Sequence, residues 1–296
     1  MWLVEPKSSG PIIARSIQSR ISSHIYASLD LRLCQLDWVV VYLGKFDGVR
    51  KFATIVSTIG VTMSVGGKIT IISGASGGVG QTVSRVFHQA GAAVALLGTH
   101  EAGVQALADE LGQDRTLPVV ANLADSSDAE AVVRTVVKHF GRVDLLLNLA
   151  GGFTGGRPVS ESDGDDLKRM LEINLWTTYN LCRAAVKPMI DQNWGRIVNT
   201  GSRDSLQGRA NYSAYAISKA AVLRLTESMA EEVRPYDITV NAILPGMIDT
   251  EANRQALPED DHSKWVKPNT IAETLLFLSQ CNTAINGAAI PVYEQA

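Results

Sequence analysis

The chain has 296 residues, of which 46% are hydrophobic and 19% are charged, and its formal net charge at pH 7 is -3. This length and composition exclude a fibrous protein, a mini-protein and a wholly disordered chain, and they fit one large domain or two small ones. Acidic and basic residues nearly balance and form no long run of one sign, so a general affinity for nucleic acid or anionic membranes is not expected.

Residues 1–62 are predicted to form an extension outside the main domain. Isoleucine recurs every fourth residue from Ile13 to Ile25 among serines and basic residues, and Glu5 is the only acidic residue in the first 29 positions. This composition is typical of an organellar transit peptide. Two other interpretations stay open: an unstructured extension, and a start placed too far upstream, since Met63 directly precedes the first well-formed strand.

Other features of the sequence bear on location and metal binding. The longest uncharged stretch near the start, Phe52–Gly67, is shorter than the ~20 apolar residues of a spanning helix, so we expect no transmembrane segment. The cysteines Cys34, Cys182 and Cys281 lack the spacing of a zinc site or a disulfide framework. We therefore expect no metal and a reducing compartment: the cytoplasm, or an organellar matrix if the extension is a transit peptide. Trp38–Leu43 fits either a further strand or an interaction patch.

From Lys68 onward, apolar β-rich runs alternate with helical patterns. Such alternation is typical of a parallel sheet with helices on both faces. We therefore predict a single α/β domain over residues 63–296, built on a doubly wound, seven-stranded parallel sheet. Helices are expected over Ser127–Gly141 and Asn174–Asp191. The predicted strands are Lys68–Ser73, Ala92–Leu97, Leu117–Ala121, Val143–Asn148, Arg196–Thr200, Ile238–Ile243 and Ala288–Val292.

A glycine-rich turn follows the first predicted strand. It reads Gly74-Ala-Ser-Gly-Gly78-Val-Gly80, and a helix is expected to begin at Gln81. A strand, a glycine-rich turn and a helix in this order direct backbone N–H groups and the positive end of the helix dipole at a diphosphate. Glycine is required there because any Cβ would block the close approach. The turn predicts a nucleotide site, with a purely structural turn as the alternative.

The spacing of these glycines resembles that of the short-chain dehydrogenase/reductase family, and further motifs of that family follow in order. Asn148-Leu-Ala-Gly151 is similar to the family's Asn-Asn-Ala-Gly, with Leu149 replacing the second Asn. Tyr215-Ala-Ile-Ser-Lys219 matches its Tyr-x-x-x-Lys motif, and Pro245-Gly246 is similar to the segment that covers the nicotinamide. The resemblance spans about residues 67–292. It implies a Rossmann-type fold and an NAD(P)-dependent oxidoreductase.

The resemblance also implies four catalytic residues: Asn174, Ser202, Tyr215 and Lys219. Tyr215 and Lys219 are four residues apart and therefore share one face of a helix. An ammonium near a phenol favours the phenolate, so we expect Lys219 to lower the pKa of Tyr215, which acts as acid in reduction and as base in oxidation. Ser202 would hold the substrate oxygen, and Asn174 would organise a helix bend and a water chain to Lys219. The nearby Tyr212 has no lysine four residues later.

The end of the second strand bears on the choice of cofactor. Gly98 stands where NAD-preferring enzymes carry an acidic residue, and Thr99 or a protonated His100 would hydrogen-bond a 2′-phosphate. Arginine is absent from position 99 and no basic residue lies in the glycine-rich turn, so we predict NADP and keep NAD as an alternative. The predicted cofactor contacts are Ser73, Gly74, Ser76, Gly78, Val79, Gly80, Gly98, Thr99, His100, Asn122, Leu123, Asn148, Ala150, Gly151, Tyr215, Lys219, Pro245, Gly246, Ile248 and Thr250.

Two loops, Gly151–Pro158 and Met247–Lys267, are expected to shape the substrate pocket. Their sequences also resemble the dihydropteridine reductase branch, which lacks the catalytic serine and prefers NADH; Ser202 and Gly98 depart from it. The predicted function is therefore a carbonyl reductase of the 3-oxoacyl-reductase kind, acting on a small molecule. The candidate substrate residues, each equally compatible with loop packing or solvent exposure, are Phe153, Arg203, Met247, Asn253 and Trp265.

Two alternative functions stay open: reduction of a quinonoid dihydropterin, and a non-catalytic redox sensor that binds NADP. A sensor has no need for Ser202, Tyr215 and Lys219 together, so their spacing favours catalysis. The resemblance further implies a homo-oligomer, a dimer or a tetramer, that packs helices beginning near Asn174 and Tyr212. An apolar helix face looks the same whether it meets its own core or a neighbour, so sequence does not decide the oligomeric state.

Overall fold

The computed structural model describes residues 63–162 and 164–293. The predictions for the extension over residues 1–62, including the segment Trp38–Leu43, lie outside the described residues. In the two described ranges, no helix is both long and apolar enough to cross a membrane. The same ranges contain no group of three histidine, cysteine or acidic side chains arranged to hold a metal ion.

The described residues form one seven-stranded sheet in which all neighbouring strands are parallel. Its order is β3-β2-β1-β4-β5-β6-β7, so the predicted doubly wound sheet is confirmed. The strand bounds differ by at most two residues from those predicted. They are β1 Ile69–Ser73, β2 Ala93–Gly98, β3 Thr116–Val120, β4 Leu145–Asn148, β5 Trp194–Thr200, β6 Asp237–Pro245 and β7 Ala289–Val292.

Helices connect the strands and cover both faces of the sheet. A π-helical segment, Leu171–Trp176, departs from regular α geometry and joins the α-helices Asp165–Met170 and Thr177–Asp191. Short 3₁₀ turns lie at Gln113–Arg115, Val159–Glu161, Arg203–Ser205 and His262–Lys264. The α-helices are α1 Gly78–Gln89, α2 Glu101–Leu111, α3 Ser126–Phe140, α4 Asp165–Met170, α5 Thr177–Asp191, α6 Ser213–Glu232, α7 Glu251–Ala256 and α8 Pro268–Leu278.

The core consists of two apolar layers, one on each face of the sheet. Because side chains alternate along a strand, neighbouring residues of β1 feed opposite layers: Ile72 packs in the layer that includes Phe87 of α1 and Leu275 of α8. Ile71 packs in the other layer, with Leu181 of α5. Strands buried on both sides need continuous apolar runs, which explains why the strands were readable from the sequence.

Three helix boundaries correct the sequence interpretation. Helix α1 begins at Gly78 rather than at Gln81. Helix α3 begins at Ser126 rather than Ser127, because the carboxylate of Asp125 accepts backbone N–H bonds and acts as the N-cap. It ends at Phe140, and Gly141 is the left-handed C-cap with φ of 85°.

The strand order places the candidate site. Strands β2 and β3 lie on one side of β1, and β4 to β7 lie on the other, so the order reverses between β1 and β4. At such a reversal the connections leave toward opposite faces and open a crevice at the carboxyl ends of the strands. The glycine-rich turn after β1 and the Asn148–Gly151 segment after β4 both lie at this edge.

Candidate active site

The glycine-rich turn is shaped by contacts that only glycine permits. A Cβ at position 80 would lie 2.0 Å from the carbonyl oxygen of Gly74, so α1 passes directly against the end of β1. Gly74 has a φ of 67°, and a Cβ there would lie 3.0 Å from the backbone of Ala150. Gly78 faces the loop after β6, where its Cβ would meet the Thr250 side chain at 3.1 Å. The turn therefore presents bare backbone at the start of α1.

Strand β2 ends at Gly98, and neighbouring side chains occupy the space that a side chain at this position would need. A Cβ at Gly98 would lie 2.8 Å from Cγ1 of Val104 and 3.2 Å from the hydroxyl oxygen of Ser76. Position 98 therefore lacks a carboxylate and also has no room for one in this backbone arrangement. The next two residues, Thr99 and His100, are exposed at the entrance to α2.

Strand β4 ends in polar groups that join it to both neighbours. The Ser73 hydroxyl of β1 accepts the N–H groups of Leu149 and Ala150, each at 3.0 Å. The buried Asn148 amide donates to Oδ1 of Asn199 on β5 at 2.8 Å, while its own Oδ1 has no partner among the described residues. These bonds hold the carboxyl ends of three adjacent strands in register beneath the candidate site.

Asn174 holds the loop after β4 against two helices. Its side-chain oxygen accepts the Gly152 N–H at 2.9 Å, and its amide donates to the Gly152 carbonyl and to the Ser218 hydroxyl of α6, both at 3.0 Å. It is fully buried in the π-helical segment. The predicted helix bend is therefore present as a π-helical turn, a feature often found at functional sites.

Ser202 and Tyr215 lie together. Ser202 follows β5, is buried, and begins a 3₁₀ turn in which its hydroxyl oxygen accepts the Asp204 N–H at 3.2 Å. Its N–H donates to the Ser205 hydroxyl at 3.0 Å, which completes a capping box. The Ser202 hydroxyl also lies close enough to the phenol of Tyr215, in the first turn of α6, to act on its pKa. Two hydroxyl groups thus meet at one point of the crevice.

Lys219 is a buried cation one turn further along α6. Its ammonium donates to the Thr200 carbonyl at 2.8 Å, and only 5% of its surface is exposed. A Cβ added to Gly151 would lie 3.4 Å from this ammonium and 2.6 Å from Oδ1 of Asn174. Burial lowers the pKa of Lys219 to about 8. Asn174, Gly151 and Lys219 therefore pack against one another, as the motif order suggested.

The expected lowering of the Tyr215 pKa is wrong for the protein without cofactor. Burial raises this pKa, and the nearby Asp204 adds to the increase. The Ser202 hydroxyl and the charge of Arg209 act in the opposite direction but do not overcome burial. The four-residue spacing to Lys219 alone favours a lowered pKa, whereas the ammonium is bonded to the Thr200 carbonyl and the phenol is desolvated.

The loop after β6 folds on itself. Asp249 forms ion pairs with Arg254 and Lys267, and these lower the pKa of its carboxyl group. Thr250 caps α7 through its side-chain oxygen. The Asn253 amide donates to the Ile248 carbonyl at 2.8 Å, so this candidate substrate residue supports the loop. The loop over Met247–Lys267, expected to shape the substrate pocket and called the lid below, is therefore a compact segment with its own helix.

The other candidate substrate residues separate into two groups. Trp265 is buried, and its indole N–H donates to Asp260 at 3.1 Å, so it packs the lid. The Met247 carbonyl accepts the Val266 N–H at 2.8 Å within the same loop. Phe153, in contrast, is exposed, and its ring centroid lies 5.0 Å from that of Tyr215. Arg203 is also exposed, 5.2 Å from the centre of the Tyr293 ring.

Two of the predicted cofactor contacts, Asn122 and Leu123, lie directly after β3. The side-chain oxygen of Asn122 accepts the Ala124 N–H at 3.3 Å, and the Asn122 N–H donates to Asp128 at 3.0 Å. Leu123 is buried, and its carbonyl accepts the Asn180 amide at 3.1 Å. Asn122 is thereby held at the same edge of the sheet as Gly98.

Several residues that hold the site together were not singled out from the sequence. Asn199 bridges Asn148 to Thr226 of α6, with its amide 2.9 Å from the Thr226 hydroxyl. The Ser218 hydroxyl accepts a hydrogen bond from the Asn174 amide and donates one to the Tyr215 carbonyl at 2.8 Å. Ser218 directly precedes Lys219 inside the recognised motif, so position alone was an available signal. The sequence around Asn199 carries no such signal, because a polar residue in a strand pattern does not indicate which residue it will bond.

A family model described as short chain dehydrogenase matches residues 68–261. Among curated relatives, the 3-oxoacyl-(acyl-carrier-protein) reductase FabG of Vibrio cholerae is 32% identical over 240 residues, which cover 78% of this chain and 97% of the relative.

Solved structures give the same result. NAD+-bound xylitol dehydrogenase superposes with a TM-score of 0.71 at 28% identity and covers 78% of this chain and 99% of its own. ElxO with NADP bound superposes with a TM-score of 0.72 at 26% identity and covers 76% of this chain and 96% of its own.

Proposed function

The chain belongs to the short-chain dehydrogenase family, and from that premise we propose that it reduces a carbonyl group to an alcohol with NADPH, the type of reaction that its 3-oxoacyl-reductase relatives are named for. The observation that carries the proposal is the proximity of the Ser202 hydroxyl to the Tyr215 phenol on the helix that also carries the buried Lys219. Together these groups can hold and protonate one substrate oxygen.

The reaction assigns a separate task to each side chain. The Ser202 hydroxyl would donate a hydrogen bond to the substrate oxygen, and the Tyr215 phenol would give that oxygen a proton. The carbonyl oxygen thereby becomes the hydroxyl group of a neutral alcohol. A phenol is protonated at neutral pH, as a general acid must be, and burial of Tyr215 raises its pKa further. Lys219 stabilises the phenolate left behind, and Asn174 fixes the loop and helices that position them. A bound NADPH supplies the hydride that reduces the carbonyl carbon.

The glycine-rich turn fits a dinucleotide diphosphate. Gly77 and Gly78 are exposed at the N-terminus of α1, where the helix dipole favours negative charge. A Cβ at Gly78 would fill the gap to Thr250, so this gap exists only because the residue is glycine. Thr250 and the Pro245-Gly246 segment are the residues that would lie over the diphosphate and nicotinamide.

We propose NADP rather than NAD because position 98 has no acid and no space for one. Without a carboxylate there, a 2′-phosphate meets no repulsion from the end of β2. The exposed Thr99 and His100 are the donors nearest to it in the chain. The solved relatives include both an NAD+-bound and an NADP-bound protein, so the preference rests on these residues.

The cofactor proposal predicts a kinetic difference. We expect kcat/KM to be at least about tenfold higher for NADPH than for NADH, since one charge-assisted hydrogen bond contributes about 1.5–3 kcal/mol. The double variant Thr99→Val/His100→Ala should lose this preference by weakening NADPH alone. His139→Ala, at an exposed position on α3, is the matched control. A preference for NADH would contradict the proposal and would assign the ribose contact to Glu101, which opens α2.

The alternative functions differ in what they require of the same residues. A quinonoid dihydropterin reductase of the related branch lacks the serine, whereas here the Ser202 hydroxyl lies near Tyr215. A redox sensor needs the cofactor site alone. We therefore rank carbonyl reduction first, and we retain a reducing compartment, the cytoplasm or an organellar matrix, as the proposed location.

We also propose that the chain forms a homo-oligomer through the exposed face of α5 and the π-helical segment. Trp176 and Tyr179 are 48% and 40% exposed and pack edge to face, with ring centroids 5.8 Å apart. Ile217 of α6 is also exposed. Large aromatic side chains at adjacent helical turns are enriched at protein interfaces.

Light scattering after size exclusion tests the oligomer. We expect the mass of a dimer or a tetramer for the wild type and a lower mass for Trp176→Glu/Tyr179→Glu, because four fewer aromatic faces per dimer are buried. Val159→Glu, at another exposed apolar position, should leave the mass unchanged. A monomeric wild type would defeat the proposal.

A further inference from the structure

Phe153 is a large apolar side chain exposed beside the candidate catalytic tyrosine. More than half of its surface, 56%, is open, although it follows a buried strand by only five residues. An exposed aromatic group contributes little to folding, because the hydrophobic gain depends on the area removed from water. Its position at the crevice therefore calls for an explanation other than core packing.

The ring belongs to an ordered aromatic group. Its centroid lies 5.0 Å from that of Tyr215, with the two planes at 76°, and 5.3 Å from that of Tyr212, with planes at 35°. The Arg209 guanidinium lies 3.7 Å from the centre of the Tyr212 ring. We call Phe153 and Tyr212 the aromatic shelf. These separations are those of favourable aromatic and cation–π pairs, so the shelf has a defined geometry.

The loop that carries Phe153 is fastened on both sides of it. Gly152 makes two hydrogen bonds to the buried Asn174, and the Gly156 N–H donates to the Asn211 carbonyl at 2.8 Å. Between them, a Cβ at Gly155 would lie 2.8 Å from Cζ of Phe153 and 3.1 Å from Cδ1 of Tyr212. The loop backbone therefore lies directly against the edges of both rings, which only glycine allows.

We propose that Phe153 determines substrate specificity by stacking a flat, conjugated cyclic ketone whose carbonyl oxygen lies at Ser202 and Tyr215. This inference rests on the proposed carbonyl reduction and names its substrate class. A ring bearing the carbonyl meets the shelf with one face, whereas a flexible linear oxoacyl thioester has no flat face to offer and pays more conformational entropy when fixed. The shelf is preorganised, so its contribution is made without ordering the loop.

The test compares two ketones and two variants. Isatin is the flat probe and acetoacetyl-CoA the linear one, each with NADPH; in both, one hydride and one proton convert the ketone to an alcohol. We expect a higher kcat/KM for isatin. Phe153→Leu should lower kcat/KM for isatin about tenfold, mainly by raising KM, because stacking contributes on the order of one aromatic pair. Phe153→Tyr keeps the ring and should stay within about twofold of the wild type.

Each outcome has a distinct meaning. Equal losses on both substrates in Phe153→Leu would show a merely structural role, and no loss on isatin would show that the ring does not bind substrate; either result overturns the inference. A wild type that turns over acetoacetyl-CoA but not isatin overturns it while leaving the proposed function intact. A wild type that binds NADPH and reduces neither ketone counts against the proposed function itself.

Discussion

Replacing Tyr215 by phenylalanine is expected to lower kcat by about a thousandfold, within the range that general acid catalysis contributes. The variant loses only the phenol hydroxyl, which lies near Ser202 at the crevice. The ring remains, so its edge contact with Phe153 and the start of α6 are preserved. NADPH binding should therefore stay within about twofold of the wild type, measured by the fluorescence of the bound nucleotide.

Tyr212→Phe is the matched control for this prediction. Tyr212 lies three residues earlier at the N-terminus of α6 and also contacts Phe153, but it has no lysine four residues later. Its variant should keep kcat within a few fold of the wild type. Full activity in Tyr215→Phe, or a large loss in Tyr212→Phe alone, would mean that the proton donor has been assigned to the wrong tyrosine.

Lys219→Met is expected to separate activity from stability. The buried ammonium is the cation nearest to Gly151 at the crevice, so its loss should lower kcat at least about a hundredfold, as expected when the partner of an acid/base group is removed. Stability should respond differently, because burial lowers the pKa of Lys219 in the folded state to about 8, whereas the unfolded value is near 10.5.

The sign of the pH dependence follows from these two values. Below pH 8 the lysine is charged in both states, and folding bears the full cost of burying the charge. Between pH 8 and about 10.5 the unfolded state binds more protons than the folded state, so the stability of the wild type rises relative to Lys219→Met. Urea unfolding at several pH values measures this difference.

Arg224→Met serves as the control for the lysine variant. Arg224 is exposed on the same helix and pairs with Glu227 in the next turn, so its replacement should change neither kcat nor the pH dependence of unfolding. A stability difference between the wild type and Lys219→Met that stays flat from pH 7 to 10.5 would contradict the burial of a charged lysine.

The strands could be predicted because strands that are buried on both faces consist of continuous apolar runs. The motifs then placed the site, since the carboxyl ends of parallel strands meet at one edge. What failed were features that depend on packing rather than on residue pattern. The low helix propensity of glycine does not predict the start of α1 at Gly78, where this first turn packs so closely that a Cβ at position 80 would lie 2.0 Å from the Gly74 carbonyl oxygen.

The electrostatics and the lid were also beyond the sequence. The direction of the Tyr215 pKa depends on desolvation and on Asp204 and Arg209, none of which the motif includes. From the sequence, Trp265 fitted a substrate contact and loop packing equally well. In the structure it is buried and donates to Asp260, which favours loop packing. Over so few residues, a π-helical segment has the same apolar spacing as an α-helix. The apolar pattern around Asn174 therefore could not distinguish the two.

Transfer of deuterium from NADPH, labelled at both C4 positions of the nicotinamide ring, is the measurement that tests the central claim most directly. Wild type and Tyr215→Phe would be incubated with a panel of ketones and 3-oxoacyl thioesters, and the products would be examined by mass spectrometry. Carbonyl reduction predicts one deuterium on the new carbinol carbon with the wild type and almost none with Tyr215→Phe. Tight NADPH binding without deuterium in any product would contradict that function and favour a redox sensor.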